Sequence, residues 1–151
     1  RLTEADVRAR NIQVTLDVAP DLPPVRVNVE RLTQALLNLF LNAVQAMGEG
    51  GHLHVGARLS PDGRNFSLSV RDNGPGIPRD IQAAIFTPYF TTKPSGTGLG
   101  LAMVHKIVEA HDGEISVASR PAQAARRGET TFRIWLPRAA QGDAAQPKRA
   151  D

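Results

Sequence analysis

A chain of 151 residues with 41% hydrophobic side chains is sized for one domain with its own core. It holds no cysteine, which excludes a disulfide framework and a thiolate zinc site, and no run of roughly 18 apolar residues, which excludes a membrane-spanning helix within this stretch. The net charge of +3 comes from 18 basic and 15 acidic side chains, with arginines scattered rather than striped between aromatics. That argues against nucleic-acid binding, while a mild positive excess suits a polyphosphate or an acidic partner.

The chain opens on Arg1 and shows no signal peptide, so we expect a cytoplasmic piece of a longer polypeptide. Asn11 to Val18 alternates apolar and polar residues and predicts a strand, which Pro20, Pro23 and Pro24 end. Asn28 is a fitting N-cap for a helix from Val29 to Met47, closed by Gly48, Gly50 and Gly51. His52–Leu59 and Asn65–Asp72 predict strands joined as a hairpin through Pro61-Asp62-Gly63. After a broken turn from Asp72 to Pro78 comes a short helix, Arg79 to Phe86, with Pro78 suited to its first turn. Thr87 to Gly98, with Pro88 and Pro94, reads as a mobile loop. Leu101, Val104, Ile107 and Val108 give Leu99–His111 the spacing of an amphipathic helix. Asp112-Gly113 then turns into a strand, Glu114–Ser119. A polar loop follows around Arg126 and Gly128; with Arg120 and Arg127 it is the nearest approach to a basic cluster, and it reads as mobile. A last strand, Thr130–Leu136, ends at Pro137.

This order lacks the regular β-α alternation of a barrel or a doubly wound sheet. It predicts a two-layer α/β sandwich, a mixed sheet of about five strands covered on one face by three helices. The domain is expected over residues 1–137, with 138–151 a disordered tail.

Four stretches carry chemistry. Gln34, Asn38, Asn42 and Gln45 share one stripe of a helix that is otherwise apolar nearly all round, which predicts burial and therefore partners for the amides. An amide oxygen is also a suitable neutral ligand for Mg²⁺. Asp72-Asn73-Gly74-Pro75-Gly76-Ile77 follows a strand; its glycines admit close approach, and its carboxylate suits an exocyclic amine. The plainer alternative is an Asn-Gly turn with a solvated aspartate. Gly96-Thr97-Gly98-Leu99-Gly100-Leu101 enters a helix, where free N–H groups and the positive helix end favour phosphate. It fits neither the Walker pattern, which needs Lys-Ser/Thr after its last glycine, nor the dinucleotide fingerprint, where Met103 takes the third glycine's place. In Phe86-Thr87-Pro88-Tyr89-Phe90-Thr91-Thr92-Lys93, the aromatics suit the anchor of a lid. Core packing is the alternative for Phe86, and an uncommitted surface lysine for Lys93.

Together, from Asn11 to Pro137, these stretches resemble the sensor histidine kinases, whose ATP-binding Bergerat fold is shared with gyrase, MutL and certain chaperones. Asn38-Leu-Phe-Leu-Asn42-Ala43 resembles the asparagine box and Asp72-Asn-Gly-Pro-Gly76 the first glycine box. Phe86-Thr-Pro-Tyr-Phe90 resembles the phenylalanine box, with Tyr89 replacing the usual phenylalanine, and Gly96-Thr-Gly-Leu-Gly100-Leu101 the second glycine box. Thr130-Thr-Phe132-Arg-Ile-Trp-Leu136-Pro137 is similar to the last strand. Gln45-Ala46 and Thr91-Thr92-Lys93 are most similar to the nitrogen-regulation subgroup.

The resemblance implies that the domain binds ATP with Mg²⁺ and transfers the γ-phosphate to a histidine. It assigns Asp72 to the adenine amino group, with Gly74, Gly76 and Ile77 around the ring and Thr130 at the same end. Asn42 is the implied Mg²⁺ ligand, and Asn38 lines the phosphates and orients the reacting one. Lys93, Thr97, Gly98, Leu99, Gly100 and Leu101 fall to the phosphate and lid region. Hydrolysing members of the superfamily carry a glutamate where Asn38 stands; a neutral amide cannot activate water, which favours kinase over ATPase.

His52, His54, His105 and His111 lack the acceptor context of a dimerisation helix, and His52-x-His54 lacks a third metal ligand. The implied partners are therefore a dimerisation and histidine-phosphotransfer domain outside this chain and a response regulator downstream, the piece itself being monomeric. A serine kinase of the anti-sigma-factor type and a degenerate regulatory module that binds no nucleotide are the rivals.

Overall fold

A computed structural model describes residues 4–91 and 98–138. The elements run α1 (Glu4–Ala9), β1 (Gln13–Val18), α2 (Val29–Met47), β2 (His52–Leu59), β3 (Asn65–Asp72), α3 (Arg79–Gln82), α4 (Gly100–Ala110), β4 (Glu114–Arg120) and β5 (Glu129–Pro137). The strands form a five-stranded mixed sheet in the order β1-β2-β3-β5-β4. β1 and β2 are parallel, as the intervening α2 crossover requires, and the remaining neighbours are antiparallel.

Alternation decides which face is buried. Directly paired residues on neighbouring strands share a face, so Val117, Phe132, Val70 and Val55 form one row across β4, β5, β3 and β2. Ile115, Ile134, Leu68 and Ala57 form the next. Ala35, Leu39, Ala43 and Val44 of α2 and Val104, Ile107 and Val108 of α4 complete the core with these rows. Fully burying each of the larger side chains stabilises the fold by about 1.5–3 kcal/mol.

α2 starts where expected because the Asn28 side chain accepts from the Arg31 N–H at 3.0 Å. It stops at Gly48, whose φ of 67° a glycine adopts without a Cβ clash. His111 ties the N-terminal end of α2 to α4. Its Nε2 accepts from the Asn28 N–H at 2.9 Å, and its Nδ1 lies 2.8 Å from the Ile107 carbonyl, so Nδ1 carries the proton.

Several elements differ from expectation. α1 precedes the predicted order; only six residues long, it is held by Val7 against the core, with Arg10 donating to the Val44 carbonyl just beyond it. Asn11, at φ 54°, lies in a left-handed turn, so β1 begins at Gln13. α3 ends at Gln82, because the chain to Thr87 closes turns of the i to i+3 kind, Ala84 to Ile81 and Thr87 to Ala84. α2 is not buried all round: Val29 is 72% and Leu37 45% exposed, and Gln34 and Gln45 lie on its exposed side. No helix among the described residues is long and apolar enough to cross a membrane. The expected tail falls almost wholly outside the described residues.

Candidate functional site

The three strands at the sheet's centre and β4 edge all change character at one end. Inward positions read Phe66, Leu68, Val70, Asp72 on β3; Leu136, Ile134, Phe132, Thr130 on β5; and Ile115, Val117, Ser119 on β4. The register pairs Asp72 with Thr130 and Thr130 with Ser119. An apolar face thus ends in a polar row, and nothing in the core chemistry requires it.

Asp72 is only 3% exposed and Thr130 4%. A solvated turn aspartate is therefore the wrong description. Asp72 Oδ1 accepts from the Gly74 N–H at 2.9 Å, an Asx turn that folds the chain back over the carboxylate. Burial pushes the Asp72 carboxyl above its usual range; the Gly74 hydrogen bond pulls the other way, and nearby Glu129 adds to the rise. No lysine, arginine or histidine forms an ion pair with it among the described residues. A buried carboxylate without a cation is costly to the fold and marks a functional candidate.

The turn after Asp72 is bracketed on two sides. A Cβ on Gly74 would lie 3.2 Å from the Ala46 carbonyl oxygen, so the last turn of α2 abuts it. Gly76, at φ 77°, presses against the Arg120 carbonyl and Pro121; its bare α-carbon is needed by the protein chain itself, a requirement the sequence did not expose. Ala122 donates to the Pro75 carbonyl at 2.8 Å and Arg127 Nε to the Asn73 carbonyl at 3.1 Å, so the basic loop is anchored to this turn. Ile77 N–H donates to Ser119 Oγ at 2.8 Å, and Gln82 Nε2 bonds the Ile77 carbonyl at 2.8 Å. Ser119 and Gln82 were not singled out from the sequence. The available signal was the first polar residue at an inward position of Ile115-x-Val117-x-Ser119.

α2 leads from this turn toward α4. Asn38 and Asn42 are half-buried, and Asn38 Nδ2 reaches Met103 Sδ of α4 at 3.8 Å. Asn38 lies eight residues before Ala46, about 12 Å along the helix axis at ~1.5 Å per residue. The amide stripe therefore runs from the Asp72 turn to the first turns of α4.

Among the described residues no side chain makes a capping hydrogen bond at the start of α4. A Cβ on Gly100 would meet nothing within 4 Å, whereas one on Gly98, at φ 72°, would collide with the Tyr89 backbone. Tyr89 N–H donates to the Gly98 carbonyl at 2.9 Å. Gly98, Leu99, Gly100 and Leu101 thus form the helix entrance, while Lys93, Gly96 and Thr97 lie outside the described residues. Phe86 packs edge-on to Phe132 at 6.1 Å and tilted against His105 at 5.8 Å; Tyr89 is 76% exposed.

A buried acceptor at one end, half-buried amides between, and a glycine-entered helix N-terminus at the other suit a nucleotide with its metal. The acceptor fits a base, the neutral amide oxygens fit a hard cation, and the N–H groups fit phosphate. Cavities of about 180 and 430 Å³ lie elsewhere, lined by His105, Glu109 and Ile115 and by Asn65, Glu114 and Trp135. Neither contains a residue to which a binding role was assigned. Among the described residues no group of three histidine, aspartate or glutamate side chains could hold a metal, and His52 bonds Thr15 while His54 faces Asp17.

Residues 27–140 match the family described as histidine kinase-, DNA gyrase B-, and HSP90-like ATPase. Sensor histidine kinase ZraS of Escherichia coli (strain K12) is 48% identical over 137 residues, 91% of this chain and 28% of its own. Sensory histidine kinase/phosphatase NtrB of Rhizobium leguminosarum bv. phaseoli is 40% identical over 143 residues, 85% of this chain and 36% of its own. The nitrogen-regulation resemblance thus has a relative behind it, though ZraS shares more identity. The solved catalytic domain of histidine kinase ThkA, in a nucleotide-free form, superposes with a TM-score of 0.78 at 30% identity, covering 91% of this chain and 87% of that one. The chain spans about a third or less of these curated relatives. With its mixed sheet, asparagine helix and glycine-entered helix, the chain belongs to the histidine kinase-, DNA gyrase B- and HSP90-like ATPases, as a domain of the kind that sensor histidine kinases carry.

Proposed function

We propose that this domain binds Mg·ATP along α2 and donates the γ-phosphoryl group to a histidine on a dimerisation domain of the same parent protein. That phosphohistidine then serves a response-regulator aspartate, and the domain works in the cytoplasm. Asp72 accepts from the adenine 6-amino group, with Gly74, Gly76 and Ile77 around the base and Thr130 beside it. Asn42 holds Mg²⁺, and Asn38, one turn earlier, orients the γ-phosphate. The N–H groups at Gly98, Leu99, Gly100 and Leu101 bind the phosphates, with Lys93 and Thr97 contributing from the lid.

The observation that carries this proposal is the reach of α2, whose last turn abuts Gly74 while Asn38 contacts Met103. Bound Mg·ATP supplies the transferable phosphoryl group and neutralises part of its charge. Asn38, an amide, has no basicity with which to activate water. A neutral imidazole is already a nucleophile and needs no such base, so transfer to histidine suits this site better than hydrolysis.

The test is to mix the domain, labelled ATP and Mg²⁺ with the parent protein's dimerisation-helix pair. Acid-labile, base-stable phosphohistidine is expected on the helix pair. Acid-stable phosphoserine would support a serine kinase on the same fold. Absence of nucleotide binding by calorimetry would identify a regulatory module instead.

A further inference from the structure

Ser119 sits at the crossing of the polar row and the glycine turn. Its hydroxyl oxygen receives the Ile77 N–H at 2.8 Å, lies 3.0 Å from the Glu129 carbonyl, and lies 2.7 Å from Thr130 Oγ1. A serine hydroxyl has one hydrogen and two lone pairs. The Glu129 carbonyl can only accept, so the Ser119 hydrogen goes there. The Ile77 N–H can only donate, and it takes one lone pair. The 2.7 Å contact must then be a donation from Thr130 to the second lone pair. All three valences of Ser119 are filled.

The consequence falls on Thr130. With its own hydrogen spent on Ser119, Thr130 Oγ1 offers only lone pairs to its surroundings. Its register partner Asp72 is likewise an acceptor, with Oδ1 held by Gly74. Two buried acceptors side by side favour a ligand group that brings hydrogens and oppose one that brings lone pairs. Ser119 also couples this arrangement to the turn. Gln82 Nε2 spans the Ile77 and Ser119 carbonyls at 2.8 and 3.3 Å, so the glycine turn and β4 are bonded twice at the same place.

We infer that Ser119 is a positioning residue that fixes the direction of the Thr130 hydroxyl, and thereby makes the base pocket select a 6-amino purine over a 6-oxo purine. This rests on the nucleotide assignment proposed above. Ser119 acts through Thr130 and Ile77 and need not touch the base. In Ser119→Ala the Thr130 hydrogen is released and can turn toward the pocket, where it would meet a 6-oxo group favourably and a 6-amino group poorly.

The experiment is calorimetry of ADP and IDP on the 151-residue chain, with Mg²⁺, for the parent and three variants. The parent is expected to prefer ADP. Ser119→Ala is expected to lower the ADP-to-IDP affinity ratio about tenfold, a typical cost of misdirecting one buried hydrogen bond. Ser119→Cys, which keeps the side chain's size should the alanine variant not fold, is expected to shift the ratio the same way by less. Ser119→Thr, which keeps the hydroxyl, is expected to restore it. An equal loss for both nucleotides, with the ratio unchanged in the alanine and cysteine variants, would overturn the selectivity role and leave a purely structural one. A parent that binds neither nucleotide would instead overturn the nucleotide assignment itself.

Discussion

Asp72→Asn is expected to weaken binding of a non-hydrolysable ATP analogue about 100-fold, the usual scale for breaking one partner of a buried charged hydrogen bond. The orientation of the new amide follows from the turn. The Gly74 N–H needs an acceptor, so the asparagine oxygen takes the place of Asp72 Oδ1 and its NH₂ replaces the other oxygen. An adenine amino group would then face donors instead of an acceptor. Calorimetry reads the loss directly.

The same variant separates a binding role from a scaffolding one. The folded-state pKa of Asp72 is raised above its unfolded value, chiefly by burial. The fold therefore disfavours the carboxylate: its cost is full above the folded pKa and vanishes below the unfolded one, where both states are protonated. Removing the charge should leave the nucleotide-free melting temperature unchanged or higher at neutral pH, with the difference shrinking on acidification. Parent affinity should decline as pH falls through the raised pKa, because a protonated carboxyl donates where it must accept. Affinity of the asparagine variant should lack that decline. A variant that melts earlier and binds normally would place Asp72 in the scaffold.

Asn42→Ala is expected to cost roughly 10- to 100-fold in affinity when Mg²⁺ is present, and little when the metal is chelated. The comparison matters because Asn42 and Asn38 share a helix face but hold different proposed roles. Asn38→Ala should bind Mg·ATP nearly as the parent does while slowing transfer to the dimerisation-helix fragment. Calorimetry with and without chelator, paired with a transfer assay, distinguishes the two. If Asn42→Ala binds like the parent with Mg²⁺ present, the metal lies elsewhere.

Much of this was legible in the sequence because the signals were local. Asn28 and Gly48 bound α2 by capping chemistry that acts within a few residues, and alternation located β2 and β3 to the residue. The glycine entrance of α4 was likewise a local pattern. What was missed depends on distant partners. α1 is too short to hold itself together and exists through Val7 against the core and Arg10 near Val44. Gly76 and Gly100 look alike in sequence, yet one is pressed by Arg120 and the other faces open space. Ser119 gains its place only when β4 pairs with β5 in a register that sets it beside Thr130. The apolar composition of α2 overstated its burial, since Leu37 and Val29 face outward while the core contacts come from Leu39, Ala43 and Val44.

Amide NMR of the isotope-labelled domain, titrated with Mg²⁺ and a non-hydrolysable ATP analogue, observes both ends of the site at once. Signals of Gly74, Gly76 and Ile77 should move along the same saturation curve as those of Gly98, Gly100 and Leu101, together with the side-chain amide of Asn42. Shifts confined to one of these groups, or two curves with different midpoints, would mean that the carboxylate turn and the glycine-entered helix do not share a ligand.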